Sequence, residues 1–203
     1  MIYRLVWLLF RGLFKLYFRW EIHGAEHVPP TGAVILAANH VSYLDPPVVA
    51  VGVWRPCCFM AKEELFKFPP IAAFIRKLNA FPVKRGQADR GAIREALRRL
   101  EADWSLVIFP EGTRSDSGEL SPAETGVGML AARTGAVVVP VYLQGTAAAM
   151  PRGGGIWPAK VIITYGDPLQ IPEDTEGRTA REQHQFIARR TMQAIAELRD
   201  RNS

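Results

Sequence analysis

The sequence predicts an α/β domain built on a mixed, mostly parallel sheet flanked by helices and preceded by one amphipathic helix. Three observations carry this reading. Short, near-continuous apolar runs recur along the chain, the pattern of strands covered on both faces. Amphipathic stretches with helix-start signals separate them, as in α/β folds. The first twenty residues differ from both, being rich in leucine and aromatic side chains and punctuated by cations.

Residues 1–20 carry the run Leu5-Val6-Trp7-Leu8-Leu9-Phe10 and then Leu13, Phe14, Leu16, Tyr17, Phe18 and Trp20. At about 100° per residue, Arg4, Arg11, Lys15 and Arg19 fall within about 80° of one another, so a helix here has one basic stripe and a broad apolar remainder. Twenty helical residues reach roughly 30 Å, nominally enough to cross a bilayer. A crossing would place Arg11 and Lys15 near the hydrocarbon centre at about 2.5–3.5 kcal/mol each, whereas a cation at an anionic surface gains about 1 kcal/mol. A helix lying in the interface is therefore expected, with packing on the domain core as the alternative. Arg11 interrupts the apolar run, and no small-residue cleavage site follows Lys15, which argues against a secretory signal. The expected organisation is an anchoring helix over 1–22 and one domain over 23–203.

Strands are expected over 33–38, 57–61, 81–83, 105–109, 136–143 and 160–165. Between them, Asp89 precedes an apolar stripe of Ile93, Ala96, Leu97 and Leu100, with Arg90, Arg94, Arg98 and Arg99 left to the other side. Ser121-Pro122-Ala123-Glu124 has the form of a capping box with proline at the first helical position, ahead of a helix over 127–133. Thr179 and Glu182 repeat the box before a final helix running to about Arg199. Residues 151–158, with Gly153-Gly154-Gly155, read as a loop. That triple glycine does not open a helix after a strand, as a nucleotide loop would.

A length of 203 residues with 48% hydrophobic and 22% charged content suits one well-cored domain. Lys and Arg total 25 against 20 Asp and Glu, a net charge of +5, so anionic partners are favoured. Charge alone leaves nucleic acid, membrane and phosphorylated metabolite all open. The two cysteines, Cys57 and Cys58, are adjacent, where a mutual disulfide would need a strained ring. They read as small buried residues in a reducing compartment. His23, His27, His40 and His184 are scattered and make no usual zinc spacing, so no bound metal is expected.

Three segments have the makings of chemistry. In Asn39-His40-Val41-Ser42-Tyr43-Leu44-Asp45-Pro46-Pro47, a buried strand leads into a loop, and the paired prolines suit a helix start with Asp45 as N-cap. Five residues of separation bring His40 and Asp45 together only if the loop curls back. The carboxylate would then orient the ring for proton transfer. Spacing leaves equally open that Asp45 merely caps the helix while His40 satisfies the loop backbone. In Phe109-Pro110-Glu111-Gly112-Thr113-Arg114-Ser115, a strand delivers a carboxylate, two hydroxyls and a guanidinium at its mouth. Arg114 offers a donor fork suited to phosphate, and Gly112 permits close backbone approach. Phe81-Pro82-Val83-Lys84-Arg85 is a short strand ending in cations, commonly a solvated pair.

Together these segments resemble the glycerophospholipid acyltransferase family, most closely its bacterial-type lysophosphatidic acid acyltransferases, over about 24–165. His40 with Asp45 matches the family's His-x4-Asp motif, residues 81–85 resemble its second block, and Phe109 to Ser115 match Phe-Pro-Glu-Gly-Thr-Arg-Ser. Val139-Pro140-Val141 resembles the fourth block. The resemblance implies that His40, oriented by Asp45, deprotonates an acceptor hydroxyl that attacks an acyl thioester. It also implies that Arg85 and Arg114 anchor the acceptor's phosphate, with Lys84, Glu111, Gly112, Thr113 and Ser115 shaping the site. The apolar stretch 66–74 is expected to line the acyl path.

No cofactor is implied beyond the thioester co-substrate, acyl-CoA or acyl carrier protein. The implied partners are a membrane phospholipid surface and lysophosphatidic acid, not nucleic acid, with peripheral or monotopic attachment at the cytoplasmic face of the inner membrane. One departure stands out. Where many relatives read Phe-Lys-Thr-Gly, this chain reads Ala123-Glu124-Thr125-Gly126, which leaves another lysophospholipid or an amino-acid-headed lyso-lipid open as acceptor. A non-catalytic lipid-binding relative is a further alternative. So is a hydrolase, although the Gly-x-Ser-x-Gly nucleophile turn is missing.

Overall fold

The computed structural model describes residues 2–84, 89–171 and 179–202. Seven strands form one sheet: β1 (Glu21–His23), β2 (Val34–Ala38), β3 (Cys57–Lys62), β4 (Ala80–Val83), β5 (Ser105–Ile108), β6 (Val137–Gln144) and β7 (Ile162–Tyr165). Their order is β1-β7-β6-β2-β5-β3-β4, with every pairing parallel except β6 with β7. The mixed, mostly parallel sheet expected from the apolar runs is the sheet observed. β1 was not foreseen. It is three residues long on the sheet's edge and largely exposed, so it leaves no apolar signature.

Among the described residues the α-helices are α1 (Ile2–Tyr17), α2 (Asp45–Gly52), α3 (Pro69–Lys77), α4 (Arg90–Glu101), α5 (Gly126–Thr134), α6 (Thr146–Ala149) and α7 (Ala180–Arg201). Alternation along β2 sends Val34, Leu36 and Ala38 into one core with α1 and α2, and Ile35 and Ala37 into the other with α4, α5 and α7. Cys57 and Cys58 follow the same rule. Their thiols lie in opposite cores, both buried and unbridged, and burial pushes the Cys58 thiol up to about 11.

The two expected capping boxes had different fates. Thr179 and Glu182 form theirs in full, each side chain bonded to the other's backbone N–H. Ser121 and Glu124 do not. The Ser121 N–H donates to Glu111 Oε2 at 3.0 Å and the Glu124 N–H to Pro110 O at 2.8 Å, so no helix forms there and α5 begins only at Gly126. Tertiary bonds took the groups that the local signature needed.

Helix α1 both packs and exposes. Trp7 and Phe14, with Phe18 just beyond the helix, enter the core, while Leu5, Leu9, Leu13 and Leu16 stay exposed on the far side. Arg11 leaves the expected basic stripe. Its Nη1 donates to Val51 O at 3.1 Å, and its guanidinium lies 4.8–5.7 Å from the rings of Trp7, Trp20 and Trp54. Among the described residues, no helix is long and apolar enough to cross a membrane.

Candidate active site

β2 ends at Ala38 in the middle of the sheet, and the chain turns through 39–44 before α2 begins. Asn39 fixes the start of the turn. Its Oδ1 accepts from the Leu143 N–H at 2.7 Å and its Nδ2 donates to Leu143 O at 3.1 Å, a two-point tie to β6. Next comes His40, only 3% exposed.

The loop curls back. His40 Nδ1 lies 2.7 Å from Asp45 Oδ2, and the same oxygen accepts from the N–H groups of Val41 and Ser42, each at 2.7 Å. Asp45 was expected as the N-cap, but it is the first helical residue and Leu44 is the cap. The prolines explain the correction. A capping carboxylate bonds forward to the second or third helical N–H. Pro47 has no N–H, and that of Val48 already donates to Leu44 O at 3.1 Å. Turned backward, the buried carboxylate closes the loop on the imidazole. A carboxylate oxygen accepts, so Nδ1 carries the proton and Nε2 keeps its lone pair.

The turn after β5 holds His40 from the other side. Phe109 stacks on the imidazole with ring centroids 4.0 Å apart and planes 20° from parallel. Glu111, 7% exposed, accepts the His40 backbone N–H on Oε1 at 3.0 Å, and the Ser115 N–H donates to His40 O at 2.7 Å. Both backbone groups of His40 are thereby clamped. Glu111 was expected to shape the acceptor pocket, yet each of its oxygens accepts a backbone N–H, so it positions His40 and segment 121–125. Gly112 sits at φ 74, where a side chain is strained, and a Cβ there would come within 3.3 Å of Glu124 Cγ.

Arg114 directly precedes Ser115, whose N–H holds His40 O. Its guanidinium stands 3.6 Å over the ring of Tyr43, a residue of the same turn that carries His40. Ser115 Oγ donates to Glu119 O at 2.7 Å, and Thr113 is exposed at the mouth. Lys84 is not brought to this corner. β4 lies three strands from β2, roughly 14 Å across the sheet at about 4.8 Å per strand. There Lys84 Nζ is 3.9 Å from Glu63 Oε1. The groove at that edge sets Arg76, Lys84 and Arg99 against Glu63, Asp89 and Glu95, a balanced set among the described residues. Arg98 and Arg99 hold the Glu95 carboxyl down to about 2. Arg85, the other expected phosphate anchor, lies outside the described residues.

Sequence reading missed three contributors to the site: Asn39, Tyr43 and Phe109. A buried amide at a strand end adjoining a histidine was the available signal for Asn39. Nothing in the sequence announced that two aromatic rings would pack on His40 and Arg114. The stretch 66–74, expected along the acyl path, lies apart from the apolar pocket between α1, α2 and β3. It is mostly helical in α3, with Phe68, Ile71 and Phe74 exposed, and contributes nothing to the apolar pocket formed by Val6, Trp7 and Phe10 of α1, Pro47 and Val51 of α2 and Phe59 of β3.

Comparison with known proteins gives the same grouping. A family model described as Acyltransferase matches residues 19–144. The 1-acyl-sn-glycerol-3-phosphate acyltransferase BAT2, chloroplastic, of Brassica napus is 30% identical over 156 residues, covering 74% of this chain and 43% of that protein. The 1-acyl-sn-glycerol-3-phosphate acyltransferase of Bacillus subtilis (strain 168) is 28% identical over 150 residues, 73% of either chain. The chain thus spans less than half the length of the plant relative. In structure, it is similar to the 1-acyl-sn-glycerophosphate (LPA) acyltransferase PlsC from Thermotoga maritima, with a TM-score of 0.77 and 30% identity over 97% of this chain and 81% of that one. With a family match over more than half its length and the His-Asp pair closed at the end of β2, this chain belongs to the acyltransferase family.

Proposed function

We propose that the protein transfers a fatty acyl chain from an acyl thioester to the free hydroxyl of 1-acyl-sn-glycerol-3-phosphate, forming phosphatidic acid. The observation that carries the chemistry is the 2.7 Å contact between His40 Nδ1 and Asp45 Oδ2. With Nδ1 protonated and held, Nε2 accepts the proton of the acceptor hydroxyl as that oxygen attacks the thioester carbonyl. The tetrahedral intermediate then expels the thiolate, which recovers the proton from the imidazolium. No acyl-enzyme forms and no cofactor takes part; acyl-CoA or acyl carrier protein serves as co-substrate. The acceptor named for the relatives, together with Arg114 next to the Ser115 that holds His40, favours a phosphate-bearing lipid. Helix α1, with its leucine face outward, lies in the interface plane of the membrane.

Purified protein given a labelled acyl thioester and a panel of lyso-lipids should yield phosphatidic acid fastest from lysophosphatidic acid. Release of free acid would make the protein a hydrolase, and neither product would make it a binding protein. Glu124 against Gly112 supports a second acceptor, since an acid at the phosphate turn suits a headgroup that also carries a cation. A lyso-lipid with an amino-acid headgroup outpacing lysophosphatidic acid in the same panel would establish that reading.

A further inference from the structure

We propose that Ile156 and Trp157 form a wedge that enters the bilayer beside α1 and joins lipid contact to the catalytic corner. The loop over 151–158 holds both side chains outward, 55% and 60% exposed, on a backbone that is fixed. The Trp157 N–H donates to Ala149 O at 2.8 Å, and Ile156 O accepts from the Tyr17 hydroxyl at 3.0 Å. The triple glycine has a use here. Gly154 and Gly155 take φ of 89 and 84, and a Cβ on Gly155 would come within 2.9 Å of Trp157 Nε1. Two large apolar side chains are thus presented to the outside by a turn only glycine makes easily.

Their neighbours point to lipid as the occupant. Tyr17 ends α1, so the wedge adjoins the carboxyl end of the helix that carries the exposed leucines. Exposed Trp54 packs on Trp7, on the side of α1 turned away from those leucines, with the two rings 4.5 Å apart. Exposed Arg4, Lys15 and Arg19 border the same helix. Exposed leucines edged by cations, with a tryptophan at the end of the helix, suit an anionic bilayer surface.

The other end of the loop reaches the site. Met150 O accepts from Ser42 Oγ at 2.9 Å, two residues from His40. Arg152 donates to Arg114 O at 2.9 Å and pairs with Asp116. The same loop thus joins the wedge to the segment that holds the Arg114 backbone. This link to catalysis rests on the acyl-transfer reading, whereas the lipid contact does not.

The test uses the full chain and vesicles of phosphatidylcholine with phosphatidylglycerol, with or without brominated acyl chains. Brominated vesicles should quench the wild-type tryptophan fluorescence, and Trp157→Phe should lose a distinct part of that quenching. The double variant Ile156→Ser, Trp157→Ser should bind vesicles roughly tenfold more weakly. Its acyl transfer onto vesicle-borne lyso-lipid should fall in proportion, while its rate on a soluble short-chain lyso-lipid stays at the wild-type value. Unchanged quenching in Trp157→Phe, or unchanged vesicle binding in the double variant, would overturn the proposal. So would a concentration-dependent dimer in light scattering that the double variant abolishes, because the surface would then belong to a second copy. A wild-type protein that inserts Trp157 but transfers no acyl group would instead sink the functional reading and leave the wedge standing.

Discussion

The corner around His40 and the edge around Lys84 lie at the same, carboxyl end of parallel strands in one sheet, and each opens into a polar turn. At His40, both backbone groups and one ring nitrogen are held by groups from two other segments, and the imidazole is walled by Phe109. At Lys84, the ammonium has an acid 3.9 Å away in an open groove where charges of both signs balance among the described residues. A buried imidazole clamped at its backbone and at one ring nitrogen is a fixed reactant, whereas an exposed balanced pair is worth little in either geometry or energy. Chemistry belongs at the first and, at most, peripheral electrostatics at the second.

His40→Ala should lower turnover by about 10²–10⁴-fold at saturating substrates while circular dichroism stays unchanged. Glu111→Ala tests the clamp. It leaves the buried His40 and Ser121 N–H groups without their acceptor, a loss of about 1–3 kcal/mol each, so thermal unfolding should shift downward and kcat should fall more than KM rises. Arg114→Ala should act on binding, raising the acceptor KM about tenfold with kcat nearly kept, as expected for losing one charge-assisted anchor. Lys84→Ala should change stability by no more than about 0.5 kcal/mol and acceptor KM by less than Arg114→Ala does. A Lys84 effect as large as that of Arg114 would merge the two regions into one binding surface.

Much of the scaffold was legible because each buried strand is a run of apolar residues, and β2, β3, β5 and β6 follow those runs to within a residue or two. Local signatures were reliable only where nothing distant competed. Thr179 kept its capping box at an exposed helix start, whereas Ser121 lost the same signature to Glu111 across the turn. In the site, His40 and Asp45 were readable as a motif, but the backward turn of Asp45 depended on which N–H groups the prolines removed and which Leu44 had already taken. Glu111 was expected to shape the site, but sequence gives residue type and not direction. Its burial and its two backbone partners exist only once β2 and β5 lie side by side.

Single-turnover acyl transfer by Asp45→Asn, with lyso-lipid and thioester both saturating, bears most directly on the oriented-base account. An asparagine keeps the size of the side chain but removes the charge that holds the proton on Nδ1, so the rate should fall by about 10²–10⁴-fold with the fold intact. A folded variant that keeps more than about a tenth of the wild-type rate would contradict the role given to this pair, since a positioned base is worth far more than that.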